Sequence, residues 1–192
     1  MRDIADGDLV GWLDRRLNAA AKQSGANRPA RMRAALIEPL KEVYGVSDKV
    51  LMMALSQLFL GAPRSRRRWR EAGGCMIAVD TLVHNFLHRT GILRQFRADH
   101  AYGLACYQPG GCAEIIEAVA DHIDARQFDR RFPRAFPRFV QHAIWHYCAQ
   151  NGLDICNGNQ IDDRKRCDNK DCSLYSICDR ITLNKGNKSS IL

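Results

Sequence analysis

Residues 78–91 read AVDTLVHNFLHRTG. Asp80-Thr81 places a side-chain acceptor directly before an apolar run, the pattern of a helix N-cap. Leu82, Val83, Phe86 and Leu87 follow at the spacing that gathers apolar side chains on one helical face. Other stretches read the same way. Residues 8–23 (DLVGWLDRRLNAAAKQ) align Leu9, Trp12, Leu13 and Leu17, and Ser24-Gly25-Ala26-Asn27 breaks the pattern. Residues 30–43 predict a second helix, in which Pro39 marks a kink or an early stop. Residues 48–60 predict a third, apolar on most sides and hence buried, ended by Gly61-Ala62-Pro63. Residues 64–70 (RSRRRWR) read as an exposed loop. Residues 112–124 and 136–149 predict two further amphipathic helices, and the polar tail after Arg180 reads as frayed. No alternating run makes a strand and no repeat is present, so the expected class is all-α.

The chain has 192 residues, enough for one good core or two small domains. It is 46% hydrophobic and 26% charged, an ordinary globular composition. No apolar run is long enough to span a bilayer. The first residues, MRDIADGDLVGWLDRR, carry acids where a signal peptide would be basic and then apolar. The expected location is therefore intracellular, in the cytoplasm or nucleoid, with no membrane partner. The net charge is +8, and it is uneven: residues 1–72 carry 14 basic and 8 acidic side chains, residues 73–159 carry 8 of each, and residues 160–192 carry 7 and 5. Positive charge at both ends suits a polyanion such as nucleic acid; a solvated surface explains any single stretch equally well.

Eight cysteines in an intracellular chain point to metal or free thiols rather than disulfides. Four of them, Cys156, Cys167, Cys172 and Cys178, fall within 23 polar residues that include Arg164, Lys165, Arg166 and Lys170. A buried, weakly polar thiol has no apolar face to join there. The set reads as one tetrathiolate site, a [4Fe–4S] cluster first, a zinc second, with a reactive redox set third. His84, His88, His142 and His146 read as packing or surface residues, to be counted as zinc ligands only if a cysteine lay too far away. Trp145 reads as core.

Residues 43–49 (VYGVSDK) sit between two helical patterns. Gly45 permits a positive φ, and Ser47 or Asp48 is a good cap for the next helix. Such a hairpin aims backbone N–H groups of a helix start outward, where a phosphate can bind. Taken alone, most helix–glycine–helix turns are only turns.

With the hairpin, the Val79-Asp80-Thr81 stretch and the cysteines in this order, the chain resembles the endonuclease III family of helix–hairpin–helix DNA glycosylases. The family's hairpin runs Leu-Pro-Gly-Val-Gly-Arg-Lys-Thr-Ala, and after a helix its pattern continues Val-Asp-Thr-His-Val-x-Arg. Here VDTLVHNFLHRTGI matches closely, and Gly152-x3-Cys156 resembles the entry to the family's cluster loop. The resemblance covers roughly residues 34–180. It implies an all-α, glycosylase-like helical domain with a C-terminal four-cysteine loop. The expected organisation is residues 1–72 with the hairpin and arginine loop, 73–155 with the Val-Asp-Thr motif, 156–180 as cluster loop and 181–192 as tail.

Carried over by position, Lys49 falls on the nucleophilic lysine of bifunctional members and Asp80 on the shared aspartate. The residue types suit that chemistry. A lysine amine with a lowered pKa can attack the sugar C1′, and a carboxylate can take its proton and stabilise an oxocarbenium-like charge. The target nucleotide would have to leave the base stack. Gly45, Val46 and Ser47 would hold phosphate, with Arg64, Arg66, Arg67, Arg68, Lys165 and Arg166 as further DNA contacts. Without the resemblance, Lys49 is a solvated side chain and Asp80 a helix cap.

Three features depart from the family pattern. The cysteine spacing is x10, x4, x5 rather than x6, x2, x5. The hairpin has Ser47 for glycine and Tyr44 for proline. Only 42 residues precede the hairpin, and a partial barrel would expose apolar surface and call for a partner chain or dimer. The leading expectation is a base-excision glycosylase and lyase acting on damaged or mismatched duplex DNA. The alternatives are a non-catalytic DNA-binding module with a structural iron–sulfur or zinc site, and an interaction protein whose residues 64–70 meet an acidic protein.

Overall fold

The computed structural model describes residues 2–23 and 27–183. Among them are nine α-helices and two short 3-10 turns, and no strand. In chain order these are α1 (Arg2–Ala5), α2 (Leu9–Lys22), α3 (Arg28–Lys41), α4 (Asp48–Leu60), α5 (Arg67–Gly74), α6 (Thr81–Arg89), α7 (Ile92–Gln95), a 3-10 turn at Leu104–Tyr107, α8 (Cys112–Asp121), a second turn at Ala125–Gln127, and α9 (Pro137–Cys148). The expected all-α class is observed. No helix is long and apolar enough to cross a membrane among the described residues. The expected break at Ser24–Ala26 and most of the polar tail lie outside the described residues.

The chain divides into two compact units, each assembled from two separate stretches: Met1–Ala78 with Glu117–Val140, and Val79–Ile116 with Gln141–Leu192. The sequence boundaries at 72 and 155 do not coincide with these. Residues 117–140 return to the first unit, and the cysteine loop joins the Val-Asp-Thr helix in the second.

In the first unit, α3 packs on α2, α4 and α5, and α4 packs on α5. Side-chain acceptors start three of these helices. Asp8 accepts the Gly11 N–H at 2.8 Å, Asn27 accepts that of Ala30 at 3.3 Å, and Ser47 accepts that of Val50 at 3.5 Å. Each cap satisfies an N–H that the helix cannot. Leu13, Leu17, Met32, Leu36, Phe59 and Met76 are buried at the centre. A Cβ on Gly73 would stand 2.7 Å from the Cβ of Phe59, so glycine is what lets α5 approach α4 this closely. Phe128, Phe132, Phe136 and Phe139 form an aromatic group with ring centroids 5.1–6.0 Å apart.

Three details differ from the sequence reading. The expected arginine loop is largely helix, because Trp69, Ala72 and Gly73 give α5 a buried face. Pro39 does not stop α3, which runs on to Lys41; it sits in the last turn, where few N–H bonds remain to lose. The helix over 48–60 is not buried all round, since Val50, Met53 and Leu58 are about half exposed.

The second unit is built around α6. The loop after α9 folds back on it. The Asp179 N–H bonds the Thr90 carbonyl at 3.3 Å, the Ile181 N–H bonds the Arg89 carbonyl at 2.9 Å, and the Leu183 N–H bonds the Asp163 carbonyl at 3.0 Å. Asn157 is buried and donates to the Cys148 carbonyl at 2.5 Å, tying the start of the loop to the end of α9. Arg89 is 3% exposed and donates to Asp163 at 2.5 Å.

Candidate metal centres and the exposed hairpin

The hairpin joins α3 to α4 through residues 42–47. Gly45 has φ +79°, the left-handed conformation that glycine adopts without strain. The Val46 N–H bonds the Val43 carbonyl at 3.2 Å to close the turn. Tyr44 is fully exposed at the tip, beside exposed Gly45 and Ser47 and half-buried Val46. Lys49 is half-buried in the first turn of α4. The same turn carries Asp48, whose carboxylate is 3.2 Å from the Lys41 amine.

The arginines divide. Arg64, Arg67 and Arg68 are exposed, and the last two lie on α5. Arg66 is committed internally: it donates to both Asp14 oxygens at 2.9 and 2.7 Å and stacks over Trp69 at 4.3 Å. Trp69 donates to the same carboxylate at 2.6 Å. Arg28, Arg66, Arg67 and Arg68 line one open groove beside Asp14 and Glu71. In the second unit, Lys165 and Arg166 are both exposed, and Lys165 stands 3.8 Å from Asp162.

Asp80 caps α6, accepting the Val83 N–H at 2.9 Å, as its sequence context implied. It lies in the second unit and Lys49 in the first. Burial, reinforced by the nearby Asp80 and Cys106, raises the Tyr102 phenol above its usual range.

Cys156, Cys167, Cys172 and Cys178 line one small pocket of about 20 Å³, shared with Phe86, Arg89, Tyr147 and Arg180. The four loop cysteines thus share one pocket, but they are not among the groups close enough to hold a single metal ion. The Tyr147 hydroxyl is 3.0 Å from Cys172 Sγ, and the Arg180 N–H donates to Cys178 Sγ at 3.3 Å. Burial raises the Cys178 thiol, the Arg180 N–H opposes this, and Cys156, Cys172 and Cys167 add to the rise. A fifth thiol stands here. Cys148, buried at the end of α9, hydrogen-bonds Cys156 and so favours thiolate on Cys156 while keeping its own proton.

A second set was not foreseen. His84, His100, Cys106 and Cys112 place one ligand atom each within 4.8 Å of all the others, and could hold a metal ion. His84 Nδ1 is 3.4 Å from Cys112 Sγ and 3.6 Å from Cys106 Sγ, and His100 Nε2 is 3.4 Å from Cys112 Sγ. His84 is buried on the face of α6 that carries Val83 and Leu87, so reading it as a packing residue missed its role beside two buried thiols. Cys106 and Cys112 are fully buried. Cys112 donates to Cys106, which holds Cys106 toward thiolate, while that bond and burial keep the proton on Cys112. His142 and His146 are exposed, and Trp145 is half-buried against His142 with ring centroids 5.7 Å apart rather than in the core.

The loop cysteines do not draw together to the spacing of the His/Cys set. One tetrahedral zinc would hold its thiolates roughly 3.8 Å apart, from a Zn–S distance of ~2.3 Å. A four-iron cluster gives each thiolate a different iron and spreads them around a cavity. The all-thiol donor set and the N–H donated to sulfur are the features that suit such a cluster.

Comparison with protein-family models, with curated proteins and with solved structures found no match.

Proposed function

We propose that this chain is a DNA glycosylase of base-excision repair with abasic-site lyase activity, acting on damaged or mismatched bases in duplex DNA. The observation that carries the reading is the docking of the four-cysteine loop on α6. The cavity that the cysteines line includes Arg89, at the end of the helix that Asp80 begins. The sequence features that resemble the family's cluster loop and its catalytic aspartate thus belong to one packed unit.

In this reading the exposed hairpin offers backbone N–H groups to a DNA phosphate. Lys49 would be the nucleophile whose amine adds to the sugar C1′ and loses a proton, and the half-exposed Asp80 is the carboxylate the family resemblance assigns to the chemistry. The departing base takes the electrons of its glycosidic bond and a proton from solvent; the C1′–O4′ bond then breaks, its electrons and a proton going to O4′ as a hydroxyl, and the lysine nitrogen is left double-bonded to C1′ as a Schiff base. Asp80 also stabilises the positive charge that develops on the sugar. Cys156, Cys167, Cys172 and Cys178 would hold a [4Fe–4S] cluster, whose bound form would order the loop carrying Lys165 and Arg166.

The test is borohydride trapping on a duplex with one abasic site, comparing wild type with Lys49→Ala. An adduct that disappears in the variant supports the lyase. Its absence from folded protein that binds the duplex would overturn it.

One observation favours a second reading, a DNA-binding module without catalysis. Asp48 puts a carboxylate in the first turn of α4, and Ser47 replaces the glycine of the family hairpin. An anion there opposes close approach of phosphate, and so weakens placement of Lys49 at a sugar.

A further inference from the structure

We propose that His84, His100, Cys106 and Cys112 bind one zinc ion as a closed structural centre. The four residues come from four places: α6, the segment after α7, the 3-10 turn and the start of α8. Tetrahedral geometry with Zn–S of ~2.3 Å and Zn–N of ~2.05 Å requires a sulfur–nitrogen edge of about 3.6 Å. The three observed edges are 3.4, 3.6 and 3.4 Å. The ligand cage thus already has the dimensions of a mononuclear site, and it is too tight for a polynuclear cluster.

The chemistry around the ligands agrees. His100 Nδ1 is 2.5 Å from the Ala98 carbonyl and donates to it, which leaves the Nε2 lone pair facing Cys112. A backbone acceptor on the outer nitrogen is how proteins fix the tautomer of a metal-binding histidine. Cys112 opens α8. Two sulfurs and two imidazole nitrogens in a tetrahedral array select zinc among the common divalent ions. Four protein ligands leave no open position for water, so the ion holds structure and does not activate a nucleophile. What it holds is the segment between α7 and α8, which contains Gly103, Gly110 and Gly111, fastened to α6.

The zinc centre stands independently of the DNA chemistry, because its readout is metal content. Full-length protein from zinc- and iron-supplemented growth is assayed for both metals by mass spectrometry. The expected result is about one zinc per chain, lost at least tenfold in His100→Asn and in Cys106→Ser with iron unchanged. Cys167→Ser should lose iron and keep zinc. Wild-type protein stripped of zinc and titrated with Co(II) should develop tetrahedral d–d bands with thiolate-to-cobalt charge transfer, and His100→Asn should not. The Co(II) arm needs only folded wild type, so a Cys106→Ser variant that misfolds leaves the test intact. Zinc retained by both His100→Asn and Cys106→Ser, or wild type that takes up neither zinc nor cobalt, would overturn the assignment.

Discussion

Tyr107 Oη accepts the Val79 N–H at 2.9 Å and lies 3.4 Å from the Val79 carbonyl, so one phenol holds both polar groups of the residue before Asp80. Tyr107 closes the same 3-10 turn that carries Cys106. The backbone that delivers Asp80 and the helix that follows it are thus fastened to one turn, at Val79 by the phenol and at His84 by the thiol.

Replacing Tyr107 by phenylalanine removes that clamp with little change in packing. A lost part-buried hydrogen bond costs about 1 kcal/mol, read as a lower urea midpoint. If Asp80 does chemistry, base release slows while duplex affinity stays within twofold. Equal loss of affinity and rate would mean that Tyr107 does no more than support the fold.

Asp80 invites two substitutions with different outcomes. Asn can still accept the Val83 N–H, so Asp80→Asn should unfold near the wild-type midpoint yet release no base. Asp80→Ala removes the cap as well and should cost about 1 kcal/mol. Base release by Asp80→Asn at the wild-type rate would confine Asp80 to capping.

Arg89→Met keeps the bulk of a buried side chain and removes its charge from Asp163. Breaking a buried pair from one side costs about 3 kcal/mol, less here because Asp163 is about one-third exposed. The Arg89 charge also favours thiolate on Cys156. The variant should therefore show both a lower unfolding midpoint and less iron per chain.

Cys75 gives a pH signature. Burial, partly offset by Arg33, pushes its thiol up to about 11 from 9.0. Below pH 9.0 both folded and unfolded chains keep the proton, and the stabilising contribution is whole. Between 9.0 and about 11 the unfolded chain ionises first, so stability falls as pH rises through that window. Unfolding midpoints at pH 8 and pH 10.5 should differ more for wild type than for Cys75→Ala.

Much of the helical frame is legible from local signals. Ser47 before Asp48 and Asp80 before Thr81 mark helix starts where the structure puts them, because a cap and its apolar face are adjacent in sequence. The helix from Arg67 was hidden, since three of its four buried positions are alanine or glycine and its first turns are rich in arginine. Val50, Met53 and Leu58 misled in the other direction: an apolar helix looks buried whether or not something covers it. That the loop cysteines would gather at one pocket was legible from the polar stretch around them. The His84 set was not, because its members are separated by 15, 5 and 5 residues and two of them sit among apolar neighbours. The available clue was a histidine on the inward face of an amphipathic helix, next to Val83 and Leu87.

The return of the cysteine loop to α6 has a consequence for how the chain is made. Cys178 Sγ meets the Arg89 carbonyl across 89 positions, and residues 117–140 belong to the other unit. During synthesis, α6 leaves the ribosome long before the strap that covers its C-terminal end. A segment of foreign structure must emerge in between. The second unit therefore closes only after a stretch of the first unit has emerged, and any metal that the four loop thiols take up has to wait for that closure. A chain halted before Cys178 should accordingly show an intact first unit and an open second one.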